Sequence, residues 1–311
     1  MRDVVIIGGG LSGLVAAHVL EQHNIFYTLI EVKPQLGGSF NSVPRAGFTL
    51  DSGMMVHSVG NITVLHDYLH TIGLDKTFSC IDDDHIAFNS GNQTLIDTLT
   101  AGMNAPVMSR MAVSTLGFLD ENRLSICMEN GMLLDTRALI VAAPARYTER
   151  MFHTMIPEIS YRLLDYRYDT ITRVSVGYKD TSLKLNTAFG EDYPITDVQT
   201  FTHKERGGTV AQVSLRYTLD DLPDDPAGRI AALMGWPLNP DADLIAYWPE
   251  ADPIMWRDPA HSRTIEMIQS LLPDNVALIG GDYIPARHAP YLDERIQQGI
   301  DAANKIIAYL Q

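Results

Sequence analysis

Four consecutive apolar residues, Val4-Val5-Ile6-Ile7, come almost at the start of the chain. An unbroken apolar run of that length suits a strand covered on both faces, as in a parallel sheet. From Leu11 to about Gln22 the period changes, and Leu14, Ala17 and Leu20 recur at helical spacing. A second strand is expected from Tyr27 to Ile30, ending in Glu31. Strand, turn, helix and strand in that order open a doubly wound α/β sheet. Later, Leu139-Ile140-Val141 reads as a further buried strand. Thr172–Tyr178 and Thr209–Arg216 read as strands of a second region, alternating with helical segments. Ile296, Ile300, Ala303 and Ile307 mark one face of a helix running from about Leu292 to Ala308.

The turn after the first strand is Gly8-Gly9-Gly10-Leu11-Ser12-Gly13. Gly8 permits the tight exit from the strand, Gly10 lets backbone approach a diphosphate, and Gly13 lets the helix pack closely on the strands. Leu11 and Ser12 begin the helix, whose free N–H groups and partial positive charge favour phosphate. Glu31, eighteen residues beyond Gly13, is placed to accept hydrogen bonds from a ribose. The acid favours an unphosphorylated 2′-hydroxyl, as in FAD or NAD, over NADP.

After Glu31 the chain reads Val-Lys-Pro-Gln-Leu-Gly37-Gly38-Ser39. With this extension the sequence resembles the flavin amine oxidase and protoporphyrinogen oxidase superfamily, which includes carotenoid desaturases and renalase-like proteins. Other landmarks match in order: Gly47-Phe48-Thr49-Leu50-Asp51-Ser52-Gly53, Gly91-Asn92-Gln93-Thr94-Leu95, Val113 at an adenine-pairing position, and Leu139–Pro144, which includes Ala143. Ala277-Leu278-Ile279-Gly280-Gly281-Asp282 and the helix at Leu292 resemble the family's C-terminal FAD motif. The resemblance implies a Rossmann-type, glutathione-reductase-like FAD domain interleaved with a smaller α+β substrate domain. The FAD domain is expected over 1–57, 91–144 and 273–311, and the substrate domain over 58–90 and 145–272. It further implies Asp282 near the ribityl–phosphate region, Met54 and Met55 beside the flavin, and the Leu292 helix N-terminus facing the flavin C2 carbonyl. Negative charge gathers there on reduction, so a helix N-terminus aimed at it favours the reduced ring.

On the substrate side, Thr172–Lys179 aligns with the amine-oxidase strand that bears a lysine near flavin N5, and Arg173 takes the lysine's place. A guanidinium forks toward carboxylates, so Arg173 is a candidate anchor for an acidic substrate, against the alternative of a strand arginine in an ion pair. Tyr291 matches one of two aromatics flanking the substrate amine; Trp256, with Trp248 as the alternative, is the candidate for the other. His57 and His288 are candidate bases because histidine titrates near neutrality. Only 33 residues separate His57 from Gly91, which implies a reduced lid and either an open pocket or one completed by another subunit of a homo-oligomer.

Composition narrows the partners. Lys plus Arg total 23 against 38 Asp plus Glu, a net charge of −15 that disfavours nucleic acid. No apolar stretch is long enough for a membrane span, and no signal-peptide pattern precedes Val4, so a cytoplasmic protein is expected. Cys80 and Cys127 have neither disulfide nor metal spacing, and no metal site is expected. No cysteine lies near Tyr291, so FAD should be held non-covalently. A second nucleotide motif is absent from the sequence, so electrons are expected to pass to dioxygen or another acceptor. These features point to an FAD-dependent oxidoreductase taking a hydride from a small substrate C–H, next to nitrogen in the preferred reading. A desaturase or a renalase-like dihydropyridine oxidase is the nearest alternative. A flavin-dependent isomerase or mutase, or a non-catalytic FAD-binding protein, stands further off.

Overall fold

The computed structural model describes residues 2–179, 182–184, 194–216, 220, 222–253 and 255–311. The chain forms two compact units: Met1–Gly38, Ile96–Arg167 and Pro253–Gln311 make the first, Ser39–Leu95 and Tyr168–Asp252 the second.

In the first unit β1 (Arg2–Ile7) lies parallel to β2 (Tyr27–Glu31), with Val4 opposite Tyr27 and Ile7 opposite Ile30. β8 (Val107–Ser109) extends the sheet beyond β2. On the other side of β1 runs β11 (Leu133–Val141), also parallel. This strand is used twice. Its first half pairs antiparallel with β10 (Arg123–Met128), which pairs with β9 (Val113–Asp120). Its last three residues pair parallel with β16 (Val276–Leu278), so the C-terminal segment joins the sheet begun at the N-terminus. Val4, Val5, Ile6, Leu139, Ile140 and Val141 have no solvent exposure, as their unbroken apolar runs require.

Six helices accompany this sheet: α1 (Leu11–Gln22), α3 (Gln93–Ala101, which begins at the junction with the second unit), α4 (Ala145–Phe152), α5 (Pro157–Leu163), α7 (His261–Leu271) and α8 (Leu292–Leu310). α1 and α8 cross closely at Gly299, where a Cβ would fall 2.7 Å from the Ser12 carbonyl oxygen.

The second unit holds the hairpin β3 (Ser42–Arg45) and β4 (Phe48–Asp51), then a three-stranded sheet of β5 (Val56–Ser58), β7 (His85–Phe88) and β6 (Phe78–Cys80), with α2 (Ile62–Thr71) between β5 and β6 in the chain. Its larger sheet has the order β13 (Ile195–His203), β14 (Gly208–Leu215), β12 (Tyr168–Tyr178), β15 (Ala242–Pro253). Val174, Val176, Ala211 and Val213 form one face and pack with Ile230 and Ala231 of α6 (Pro226–Met234). The opposite face packs Val210 and Phe201 with Phe48, Leu50 and Met55. Gly177 makes this approach possible, since a Cβ there would lie 2.6 Å from the Phe48 ring.

The units divide the chain at different points from the sequence expectation. Residues 39–57 and 91–95 fall in the second unit, and 145–167 and 253–272 in the first. The first shift has a local cause, because the backbone around Asp51–Val56 is bound by side chains of β13 and β14. The second follows from α4 and α5, which succeed β11 directly and are tied to the turn at Asp282.

Candidate functional site

In the first unit the loop after β1 separates two kinds of glycine. A Cβ on Gly8, at φ +104°, would lie 2.5 Å from the Ala142 carbonyl oxygen, and one on Gly13 would lie 2.1 Å from that of Gly8. Packing within the protein therefore dictates both residues. Gly10 differs: nothing stands within 4 Å of where its Cβ would be. Its backbone faces open space at the N-terminus of α1, a cradle that a side chain would fill. Gly37 donates its N–H to the Gly9 carbonyl at 2.7 Å and bridges Gly10, and Gly38 at φ +61° crosses close above Gly10. The second glycine pair thus forms the far wall of the same loop.

Glu31 is buried at the end of β2, where one carboxylate oxygen accepts from the Gly9 N–H at 2.7 Å and the other from the Lys33 N–H at 2.8 Å. A carboxylate has capacity for about four acceptances, so lone pairs remain for ribose hydroxyls. Leu11 is buried in the first turn of α1, and the Ser12 hydroxyl donates to the Arg295 carbonyl at 3.0 Å, which joins the start of α1 to α8. Val113 is buried at the beginning of β9.

At the C-terminal motif Gly280 adopts φ +127°, and Asp282 is buried in the short 3-10 turn that follows. Its carboxylate accepts from the Ala145 N–H at 2.7 Å, and its carbonyl from the Tyr166 hydroxyl at 2.9 Å. The Ala143 carbonyl receives the Tyr283 hydroxyl at 2.9 Å. Burial, then the charge of Asp282, raises both tyrosine hydroxyls well above the ordinary phenol value, so they remain donors. Burial lowers the Arg295 guanidinium, against the opposing pull of Asp282.

Tyr291 caps α8, its N–H bonded to the Glu294 carboxylate at 3.0 Å. Its ring stacks on His288, with centroids 4.1 Å apart and planes 15° apart, and His288 Nε2 lies 3.4 Å from Glu294. Leu292 and Asp293 are buried in the first turn. The Trp256 side chain lies outside the described residues. Trp248, half-buried, donates its indole N–H to the Ser52 carbonyl at 2.6 Å.

The second unit contains a polar construction that sequence reasoning missed. Asp51 and Arg206 form a fully buried pair at 2.5 Å, and Arg206 also donates twice to the Phe88 carbonyl. The other Asp51 oxygen accepts from the Ser42 hydroxyl at 2.6 Å and the Asn92 N–H at 3.0 Å. The Gln212 amide donates to the carbonyls of Asp51 and Gly53 and accepts from the Met55 N–H at 3.2 Å. Gln199, paired with Gln212 across β13 and β14, bonds the N–H and the carbonyl of Val56. Gln212 gave no distinct advance signal, since it shares its face of β14 with Ser214, itself polar.

His57 belongs to this construction. Asn92 donates to the Met54 carbonyl at 2.7 Å, so its oxygen faces His57 Nε2 at 2.8 Å, and Nε2 carries the proton. The imidazole stacks on Phe40 at 4.7 Å and meets Phe88 edge-on. It is buried among these partners. The Ser39 carbonyl crowds Gly53, where a Cβ would lie 2.1 Å away, so Ser39, Gly53 and Met54 are brought together. Arg173 is 2% exposed on β12, directly opposite Ser214, whose buried hydroxyl has no hydrogen-bond partner among the described residues. No group of three or more His, Cys, Asp or Glu suited to a metal occurs among the described residues, and no described helix is long and apolar enough to cross a membrane.

Residues 6–70 match the NAD(P)-binding Rossmann-like domain family. Over 70 residues, 22% of this chain and 14% of the relative, the sequence is 40% identical to the mitochondrial protoporphyrinogen oxidase of Nicotiana tabacum. Over 107 residues, 32% of this chain and 22% of the relative, it is 36% identical to the FAD-dependent oxidoreductase dbaF of Emericella nidulans. The structure superposes on cyclohexylamine oxidase from Brevibacterium oxydans IH-35A with a TM-score of 0.77 at 11% identity, covering 99% of each chain. The fold is that of the FAD-dependent amine oxidases. Residues 6–70 carry the NAD(P)-binding Rossmann-like match, and β16 returns to the sheet in which that stretch begins. The sequence matches to the two curated relatives cover less than a quarter of either protein's length. In this fold the loop at Gly10, Glu31 and the turn at Asp282 lie together in the first unit, and Met54, Met55, His57 and Arg173 in the second.

Proposed function

We propose that the chain is an FAD-dependent oxidoreductase that takes a hydride from a C–H bond next to nitrogen in a small substrate. The observation that carries the cofactor assignment is Gly10. Gly8 and Gly13 are accounted for by protein contacts, whereas at Gly10, beside Gly38, no protein atom lies within 4 Å of a Cβ and the backbone is open to a ligand. The donor set suits a dinucleotide: N–H groups at the head of α1 for diphosphate, and the Glu31 carboxylate for ribose. Bound there, FAD supplies the two-electron acceptor, and the protein's own work is to hold, orient and desolvate.

Individual residues take these tasks. Asp282, fixed by the Ala145 N–H, is offered to the ribityl–phosphate region. The N-terminus of α8 is offered to the developing negative charge. Arg173 and the Ser214 hydroxyl, which has no hydrogen-bond partner among the described residues, supply polar groups for substrate on one face of the second unit's sheet. Tyr291, held flat against His288, supplies an aromatic surface. His57 is assigned to holding Met54 in place, because its Nε2 proton is committed to Asn92. Dioxygen or another acceptor takes the electrons away. The setting proposed is the cytoplasm, where the free thiols Cys80 and Cys127 stay reduced.

The test is anaerobic. Purified protein should be yellow and should release FAD on denaturation, since attachment is non-covalent. Amines, amino acids and dihydronicotinamides are mixed with it in turn, and the flavin band is followed. Bleaching by an amine supports the reading; bleaching only by dihydronicotinamide removes its substrate half. Protein unable to bind any flavin overturns it entirely.

A further inference from the structure

Among the described residues, three that are not glycine hold a left-handed backbone: Asn24 at φ +56°, Ala46 at +47° and Arg110 at +57°. Two of them have a local reason. Asparagine tolerates this region, and Asn24 closes the turn after α1 with its N–H on the Glu21 carbonyl. Ala46 and Gly47 are the two-residue turn of the β3–β4 hairpin, where strand twist favours positive φ at both positions. Arg110 has neither reason. A long side chain is costly at this φ, and a glycine would hold it freely.

Its place in the first unit is specific. β8 runs parallel to β2 with Ser109 opposite Glu31, so Arg110 is the first residue beyond the C-terminal end of β8. Open parallel sheets bind ligands at that end. The Arg110 N–H donates to the Lys33 carbonyl at 3.2 Å, and the Met111 N–H to the Glu31 carbonyl at 3.0 Å. The Glu31 carboxylate itself takes the Gly9 N–H, which ties this turn to the glycine loop. The Arg110 side chain is exposed and makes no ion pair among the described residues.

We propose that Arg110 is a specificity residue for the cofactor, its guanidinium lying flat on the adenine of the dinucleotide. The inference rests on the FAD reading above and adds a contact at the adenosine end. With the diphosphate at the head of α1 and the ribose at Glu31, the base is the part left for residues beyond Glu31. A 2′-phosphate is not the target, because its charge would meet the Glu31 carboxylate. A guanidinium is planar and weakly hydrated, and it stacks on an aromatic face. An unfavourable backbone persists where the side chain it carries has work to do.

The experiment compares Arg110→Gly and Arg110→Asn with the parent. Both replacements suit a positive φ, and both remove the guanidinium. Full-length protein freed of cofactor is titrated with FAD and, in parallel, with FMN, which lacks the adenosine. The expected result is about fivefold weaker FAD binding in both variants, with FMN binding unchanged and no fall in melting temperature. FAD binding equal to the parent's would show that the side chain touches nothing in the cofactor, and the inference is overturned. Equal losses for FAD and FMN would assign the guanidinium to a phosphate and overturn the adenine contact. Failure of the FAD reading looks different: the parent protein itself takes up no FAD.

Discussion

The Gly8–Gly13 loop and the Ser52–Val56 segment are both irregular backbone, and both are held rigidly, by opposite means. The loop is fixed by what is missing. Absent side chains let Gly8 close on Ala142 and Gly13 close on Gly8, and its long-range partners are backbone atoms and one carboxylate. The second segment is fixed by what is added: two glutamines, an asparagine and a tryptophan reach in from 38 to 196 positions away. The Gly8 and Gly9 N–H groups are taken by the Ile30 carbonyl and the Glu31 carboxylate, so the loop offers its backbone at Gly10 and the head of α1. The first design leaves backbone accessible at Gly10, and the second fixes one short stretch in a single orientation.

The sharpest way to break this contrast is the buried pair beneath the gripped segment. Asp51→Asn leaves the Arg206 charge buried without its counter-ion, which costs about 3–5 kcal/mol. Replacing both, as Asp51→Asn with Arg206→Met, should cost less than the sum of the single changes, as seen in a double-mutant cycle of urea unfolding. Additive losses would show that the two groups are not the anchor described. In the loop the largest effect belongs to Gly13→Ala. The added methyl meets backbone rather than a yielding side chain, so a loss of about 1–3 kcal/mol is expected, together with loss of bound flavin on gel filtration. Gly10→Ala should instead leave unfolding unchanged and weaken only flavin retention, since its Cβ points into open space.

The difference between the two designs also decided what could be read from the sequence. The glycine loop, Glu31 and the Gly37-Gly38 pair are close in sequence, and each has a local steric reason that composition alone expresses. Gly281-Asp282 is distant, but the apolar strand before it announces its place in the first sheet. The grip on Ser52–Val56 has no such signature. Gln212 and Gln199 matter because β13 and β14 place them side by side over a segment about 150 residues earlier in the chain, and that pairing exists only after folding. His57 shows the same limit. A histidine beside the expected flavin stretch suggested a base, and the contacts it makes with Asn92 and Phe40 come from residues not adjacent to it in sequence.

A smaller effect sharpens the loop's side of the comparison. Glu31→Gln keeps the shape but turns an amide donor toward one of the N–H groups of Gly9 and Lys33. The expected loss is about 1.5 kcal/mol of loop stability, the value of one charged hydrogen bond. Because the carboxylate also serves the adenosine ribose in the proposed site, FAD affinity should fall several-fold while FMN affinity, measured by the same fluorescence titration, stays put. Equal losses for both would place Glu31's role in the loop alone.

The smallest expected effect concerns pH, and it lies under the Asp282 turn. His261 is buried at the start of α7, where Nε2 donates to the Ile284 carbonyl at 3.2 Å and the ring meets Tyr166 edge-on. Burial lowers its pKa below the ordinary value of 6.5, against weaker upward pulls from the Ile284 bond and Asp258. Unfolded chains therefore bind a proton at this residue before the folded protein does. The stabilising contribution is complete above pH 6.5 and drains away as the pH falls toward the depressed folded value. Thermal unfolding of the parent should weaken between pH 7 and pH 5 through this group, and His261→Gln should flatten that part of the profile. An identical slope in the variant would assign the acid sensitivity elsewhere and leave the turn supported by its tyrosine hydroxyls and the Ala145 N–H alone.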